Sequence, residues 1–270
     1  MNAMSQILVF DRALVRLRRD RAATKLAHYS ALLEEGATYL LERLDDVTRS
    51  FPNILDLGCH AGALTRQLAA RQNTFVVGAD LSEKMVLQAP APSLVADEEF
   101  LPFAANSFDC VISNLSLHWV NDLPGSLAQI KNILKPNGLF LASILGGQTL
   151  HEFRSCLLDA ELSVTGGISP RLSPTVDLLT ASGLLQRAGF ALPVADQEVI
   201  TLTYRDAFAL MRDLRGMGET NAHDHRLRTP TRRSLFMEAA KLYEARFARP
   251  DGTIPATFDM LFLHGWKPAV

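Results

Sequence analysis

Between residues 53 and 145, short apolar runs alternate with stretches whose apolar residues recur every three or four positions. The runs Asn53–Leu57, Phe75–Ala79, Ser93–Ala96, Asp109–Ser113 and Leu139–Leu145 predict strands, and Gly62–Arg71, Ser82–Gln88 and Leu123–Leu134 predict helices. Alternation of this kind implies parallel pairing and an α/β three-layer sandwich, with ligands bound at the carboxyl ends of the strands. Beyond Leu145 the pattern predicts a polar helix around Thr149–Leu162, a loop rich in Gly, Ser and Pro from Gly166 to Pro174, and a helix Thr175–Ala188 stopped by Gly189. A strand Glu198–Tyr204, helices Asp206–Met217 and Arg232–Arg249, and a last strand Thr257–His264 follow. Leu235, Phe236, Ala239 and Leu242 share one side of the second of these helices, a pattern that faces a core rather than a membrane. The chain thus divides into an N-terminal helical segment (1–50), an α/β core (51–204), a helical insertion or cap (205–250) and a last core strand (251–270), with the polar stretch Gly218–Thr229 inside the insertion.

A length of 270 residues with 48% apolar and 21% charged residues excludes disordered and collagen-like classes. Cys59, Cys110 and Cys156 are odd in number and lack metal-ligand spacing, so neither a disulfide framework nor a zinc site is expected, and a reducing compartment fits. No apolar run approaches the ~18 residues of a membrane span. The net charge of −2 gives no global reason to bind nucleic acid. It conceals a strong asymmetry. Residues 1–25 carry six basic and two acidic side chains, residues 26–204 carry 10 basic and 19 acidic, and residues 205–250 carry 10 basic and six acidic. The Arg-rich start contains Asp11 and Asp20, unlike an acid-poor presequence, and reads as mature protein of a bacterial cytoplasm or a mitochondrial matrix.

The segment Ile54-Leu55-Asp56-Leu57-Gly58-Cys59-His60-Ala61-Gly62 is a hydrophobic strand that ends in a glycine-punctuated turn and opens a helix. Gly58 permits the turn and Gly62 a close backbone approach. The three-glycine dinucleotide fingerprint is not met. The segment resembles motif I of the class I S-adenosylmethionine-dependent methyltransferases, with Asp56, Gly58 and Gly62 in place and His60 where a middle glycine usually sits. Asp80 ends the next strand, where the resemblance implies a contact to the ribose hydroxyls. Asp97-Glu98 ends the third, suited to the adenine edge; Asp109 to Asn114 matches motif IV, and Leu134-Lys135-Pro136-Asn137-Gly138 the turn before the fifth strand. The candidate cofactor set is Asp56, Gly58, Cys59, Gly62, Asp80, Leu81, Asp97, Glu98 and Asn114, and the implied fold is a Rossmann-like sandwich with an antiparallel last strand.

A narrower resemblance runs from about residue 9 to 267. Val9-Phe10-Asp11-Arg12, Ala96-Asp97-Glu98-Glu99-Phe100-Leu101-Pro102-Phe103, Leu115-Ser116-Leu117-His118-Trp119-Val120-Asn121-Asp122-Leu123-Pro124, Gly166-Gly167-Ile168-Ser169-Pro170, Asp213-Leu214-Arg215-Gly216-Met217-Gly218-Glu219 and Gly265-Trp266-Lys267 are similar to the mitochondrial complex I assembly factor family and its bacterial relatives. That resemblance implies S-adenosylmethionine as cofactor, and hydroxylation or methylation of an arginine on a complex I iron–sulfur subunit. Two other activities are open: methylation of malonyl groups on acyl carrier protein, and a cofactor-binding chaperone without catalysis. His118 and Trp119, just beyond the fourth strand, can exchange a proton and wall a pocket for a cation. With Glu219 they form the candidate catalytic set. Glu152 and Arg154 flank the same edge after the fifth strand, Glu219 and Asn221 sit in the Gly-rich bend of the insertion, placed to engage an incoming arginine, and Phe10 and Arg12 are placed to close over the cofactor. The cluster His223-Asp224-His225 reads as a solvated loop, and no metal is expected.

Overall fold

The computed structural model describes residues 8–269. These form a seven-stranded sheet of β1 (Asn53–Leu57), β2 (Phe75–Asp80), β3 (Ser93–Val95), β4 (Phe108–Asn114), β5 (Leu134–Leu145), β6 (Ala191–Tyr204) and β7 (Ile254–Trp266), in the order β3-β2-β1-β4-β5-β7-β6. The first five strands pair in parallel, and β7 inserts antiparallel between β5 and β6. The order reverses between β1 and β4, which opens a crevice at their carboxyl ends.

Period-two alternation splits the central strands between two apolar layers. Cys110, Ile112, Leu139 and Leu141 face one layer with helices α2 (Ala31–Asp45), α3 (Ala63–Ala69), α6 (His151–Thr165), α8 (Ala207–Met217) and α9 (Arg233–Phe247). Val111, Phe140, Ala142 and Ile144 face the other, with α5 (Leu123–Ile133) and α7 (Leu178–Ala188). Leu235, Ala239 and Tyr243 seat α9 in the first layer, and Phe153 of α6 stacks on Tyr243 at 5.8 Å. The amino-terminal helix α1 (Arg12–Ala22) is different. Val15 joins a small satellite cluster of Phe10, Leu81, Trp119 and Ala222, and only the end of α1 and the following 3-10 segment Ala23–His28 reach the main core.

Several boundaries differ from the sequence pattern for local reasons. The helix expected at Ser82–Gln88 is a single turn, α4 (Glu83–Val86), capped by the Ser82 hydroxyl accepting from Met85 N. Val176 bridges to Gly146, so α7 begins only at Leu178, after Asp177 accepts from Thr180 N as its N-cap. β6 starts at Ala191 rather than Glu198. Its first residues contain Pro193 and the positive-φ Leu192, breakers that an edge strand tolerates where a register shift already interrupts the ladder.

Candidate active site

β1 runs into a turn held by Gly58 N and Cys59 N, which donate to Ala79 O of β2 at 2.7 and 2.9 Å. Gly58, His60 and Gly62 all take positive φ, at 75°, 48° and 77°. His60 therefore adopts the left-handed backbone at the middle-glycine position, held by His60 N on Asp80 Oδ2 at 3.0 Å and by its ring Nε2, 3.1 Å from Asn114 O. Beneath the turn Asp56 is fully buried. Its Oδ2 accepts from Thr65 Oγ1 at 2.6 Å, whereas Oδ1 has no partner. Burial pushes the Asp56 carboxyl up to about 7, against the opposing hydrogen bond from Thr65. Asp56, Gly58, Cys59, His60 and Asn114 line a cavity of about 260 Å³. Asn114 is fixed by donating to Leu33 O and accepting from Ser143 Oγ, both at 2.8 Å. Cys59 is buried and its thiol is pushed up by burial, so it packs rather than reacts. Gly62 opens α3 as a left-handed N-cap, and a Cβ there would lie 2.5 to 2.9 Å from Pro90 and Ala89.

The carboxylates at the ends of β2 and β3 are occupied from within the chain. Asp80 and Glu98 have no solvent exposure. Asp80 Oδ1 accepts from Ser82 N at 2.8 Å, and Oδ2 from His60 N and from Arg19 Nη1 at 3.3 Å. Glu98 Oε1 accepts from Arg19 Nη1 at 3.1 Å and from Ser116 Oγ at 2.6 Å, and Oε2 from Arg12. Arg12 also reaches Asp97 Oδ1 at 2.6 Å. Burial alone would raise the Glu98 carboxyl, but Arg12 and Arg19 outweigh it and hold it at about 2. Burial likewise opposes the Arg19 charge, and Asp80 and Glu98 outweigh it. Leu81, next to Asp80, packs in the satellite cluster.

On the other side of the strand ends, His118, Trp119 and Glu219 converge from segments a hundred residues apart. Glu219 Oε2 lies 3.0 Å from His118 Nε2, and Trp119 Nε1 donates to both Glu219 oxygens at 3.1 Å. Burial would raise the Glu219 carboxyl; attraction to His118 and these hydrogen bonds lower it instead, keeping it ionised. His118 Nδ1 is buried without a partner. The three residues line a cavity of about 490 Å³ whose floor is Leu32, Leu145, Phe153, Leu214 and Phe258. Arginines ring it. Arg171, Arg226 and Arg228 pair with Glu161, Asp11 and Asp224, Arg18 and Arg154 make only carbonyl contacts, to Thr220 O and to Gly147 O and Thr149 O, and Arg215 has no side-chain partner among the described residues. Burial and the nearby Arg226 push the Arg18 guanidinium down to about 10, the signature of a cation short of an anion. Asn221 also lines this cavity, anchored to Pro170 O. Glu152 does not; it accepts from Thr257 Oγ1 and ties α6 to β7. His223 bridges to Phe10 in the backbone, and among the described residues no cluster of three His, Cys, Asp or Glu could hold a metal ion.

The methyltransferase domain family matches residues 55–142. Over 267 residues the chain is 40% identical to the mitochondrial arginine-hydroxylase NDUFAF5 of Danio rerio, covering 96% of this chain and 83% of the relative. The human protein of the same name is 40% identical, with 96% and 77% covered. A malonyl-[acyl-carrier protein] O-methyltransferase of a Methylovorus species is 36% identical, with 96% and 90% covered. The chain belongs to the methyltransferase-fold family that contains both. Solved structures share the fold: phosphoethanolamine N-methyltransferase 2 of Haemonchus contortus superposes with a TM-score of 0.56 at 20% identity, over 94% of this chain and 60% of that one. The YcgJ protein of Bacillus subtilis does so with 0.59 at 17%, over 85% and 97%.

Within this methyltransferase-fold chain, sequence reasoning missed Thr65, Ser116, Arg18 and Arg19. Thr65 and Ser116 look like ordinary surface hydroxyls in the sequence, and both arginines sit in a run that resembles a solvated helix face. No periodicity marks them. A Cβ on Gly58 would lie 2.1 Å from Ser116 Oγ, so the glycine's other service is to let Ser116 close over the turn.

Proposed function

We propose that this protein binds S-adenosylmethionine at the crevice after β1 and β2, and uses the 490 Å³ cavity to modify an arginine side chain of a complex I subunit. The observation that carries the reading is the Glu219 carboxylate, buried and ionised beside His118 and Trp119, which is the group a guanidinium seeks, with an aromatic face adjoining it. Identity of 40% over 96% of the chain to the NDUFAF5 hydroxylases supports the same acceptor. The turn residues fit the cofactor's amino-acid half: an orphaned buried carboxylate oxygen on Asp56, a positive-φ glycine turn and a cavity at its mouth. Asp80, Leu81, Asp97 and Glu98 would hold the adenosine half. When bound, the cofactor supplies an electrophilic sulfonium methyl. The protein's own contribution is positioning and exclusion of water, with His118 oriented through Nε2 by Glu219 and its Nδ1 left to exchange a proton. The site of action is the bacterial cytoplasm or the mitochondrial matrix.

Intact mass of the matching complex I subunit, from cells with and without this gene, tests the proposal. Gain of one oxygen marks hydroxylation, gain of one methyl marks methylation, and an unchanged mass with failed assembly marks a binding-only assembly factor. One observation favours a second reading. Arg18, Arg154 and Arg215 lack carboxylate partners among the described residues, and three such cations over an apolar floor suit an anionic acceptor such as a malonyl group on a carrier protein. Rescue of biotin auxotrophy by the gene would support that activity instead.

A further inference from the structure

Arg19 lies where a ligand of Asp80 and Glu98 would have to lie. It is 1% exposed, and its two terminal nitrogens reach Asp80, Glu98 and Ser116 at 3.3, 3.1 and 2.8 Å. Asp80 and Glu98 are wholly buried, so no incoming hydroxyl or amino group can touch either while Arg19 stays. The cavity beside the β1 turn accordingly reaches Asp56, Gly58 and His60 and stops short of both carboxylates. We infer that Arg19 is a built-in plug of the adenosine half-site: the ion pairs it makes from α1 substitute for the cofactor, and cofactor binding requires α1 to unseat.

The way α1 is attached suits such a movement. Arg12 and Arg19, two turns apart on one side of the helix, hold it by charge to Asp80, Asp97 and Glu98. Its apolar attachment is the satellite cluster around Phe10, Val15 and Trp119, with Ala22 at its end reaching the main core, and a 3-10 segment, Ala23–His28, separates it from α2. A 3-10 stretch has poorer hydrogen-bond geometry than an α-helix and often marks a hinge. The same helix walls the acceptor cavity with Leu14 and Arg18, and is tied to the far wall by Arg18 to Thr220 O and Asp11 to Arg226. Unseating α1 for the cofactor therefore also opens the acceptor's path, which orders the two binding events. A ligand that binds only the unseated state has its apparent affinity reduced by the fraction of time that state is populated.

The inference rests on the cofactor half of the proposed function, and the test separates the two. S-adenosylhomocysteine is titrated calorimetrically into the full-length protein, Arg19→Gln, and Arg16→Gln as an exposed control on the same helix. Arg19→Gln is expected to bind at least ~10-fold more tightly than wild type, because the competing ion pairs are gone. Arg16→Gln is expected to match wild type. Equal or weaker binding by Arg19→Gln overturns the plug alone. Absence of binding by every form overturns the cofactor reading and the plug with it. Hydrogen exchange on wild type decides the matter even if Arg19→Gln does not fold: amides of residues 12–22 are expected to exchange faster when ligand is added, and slower exchange there overturns the plug.

Discussion

Asp56 holds one oxygen on Thr65 and leaves the other unpaired in a fully buried position, so its carboxyl is pushed up to about 7 from an ordinary 3.8. Between those values the folded protein keeps a proton that the unfolded chain has released. Stability therefore falls as pH rises from about 4 to about 7, and the cost is fully present above that window. Asp56→Asn is expected to raise the melting temperature at pH 8 by at least a few degrees, and to leave it nearly unchanged at pH 4, while weakening cofactor binding. Thermal scans at the two pH values, paired with calorimetry, check both halves. At Glu219 the prediction concerns chemistry. Glu219→Gln keeps a hydrogen-bond acceptor for Trp119 but removes the charge beside His118, so turnover on the protein acceptor is expected to drop about 10²–10⁴-fold with cofactor affinity little changed. Single-turnover assays at saturating cofactor measure it. These side chains were legible because their chemistry is local: a carboxylate two residues before a turn glycine, and a His-Trp pair beyond a strand. Arg19 was not, since nothing in an arginine-rich helix says which arginine turns inward.

At the scale of elements, Gly216 and Gly218 show how neighbouring glycines serve different ends. Gly218 closes α8 as a left-handed C-cap with φ of 86°. Gly216 lies inside the helix because a Cβ there would fall 2.2 Å from the root of the Tyr29 ring. Gly216→Ala removes the entropic penalty of glycine in a helix, about 1 kcal/mol, but the ring base cannot swing clear as a flexible tip could. Net destabilisation of about 1–3 kcal/mol is expected, read as a lowered urea midpoint at unchanged slope. The sequence suggests the C-cap for both glycines; only the packing of α8 against the 3-10 segment separates them. The late strands tell a similar story. The first half of β6 has no alternation to read, because on a sheet edge its residues pair along one side only and tolerate proline.

For the molecule as a whole, the uneven charge along the chain resolves into contacts rather than an external field. The basic amino-terminal block and the acidic core meet inside, where Arg12 and Arg19 neutralise Asp80, Asp97 and Glu98. What remains for a partner is the arginine ring of the acceptor cavity. Replacing Arg18 and Arg154 together by Gln is expected to raise KM for an anionic, malonyl-type acceptor by about tenfold or more, and to lower it for an arginine-bearing peptide, because the free cations attract the first and repel the second. Steady-state kinetics with both acceptors discriminates the two activities. Strand–helix alternation, the turn after β1 and the family are readable from the chain alone, because they are written in short-range periodicity and in residues that act within a few positions of one another. It takes the packed fold to bring Glu219 to His118 and Trp119, to leave Arg18 and Arg154 without carboxylate partners among the described residues, and to lay Arg19 over the carboxylates expected to hold adenosine. The contacts among these join residues 61 to 101 positions apart, and which polar groups meet or go without a partner is fixed by which surfaces the folded core brings together.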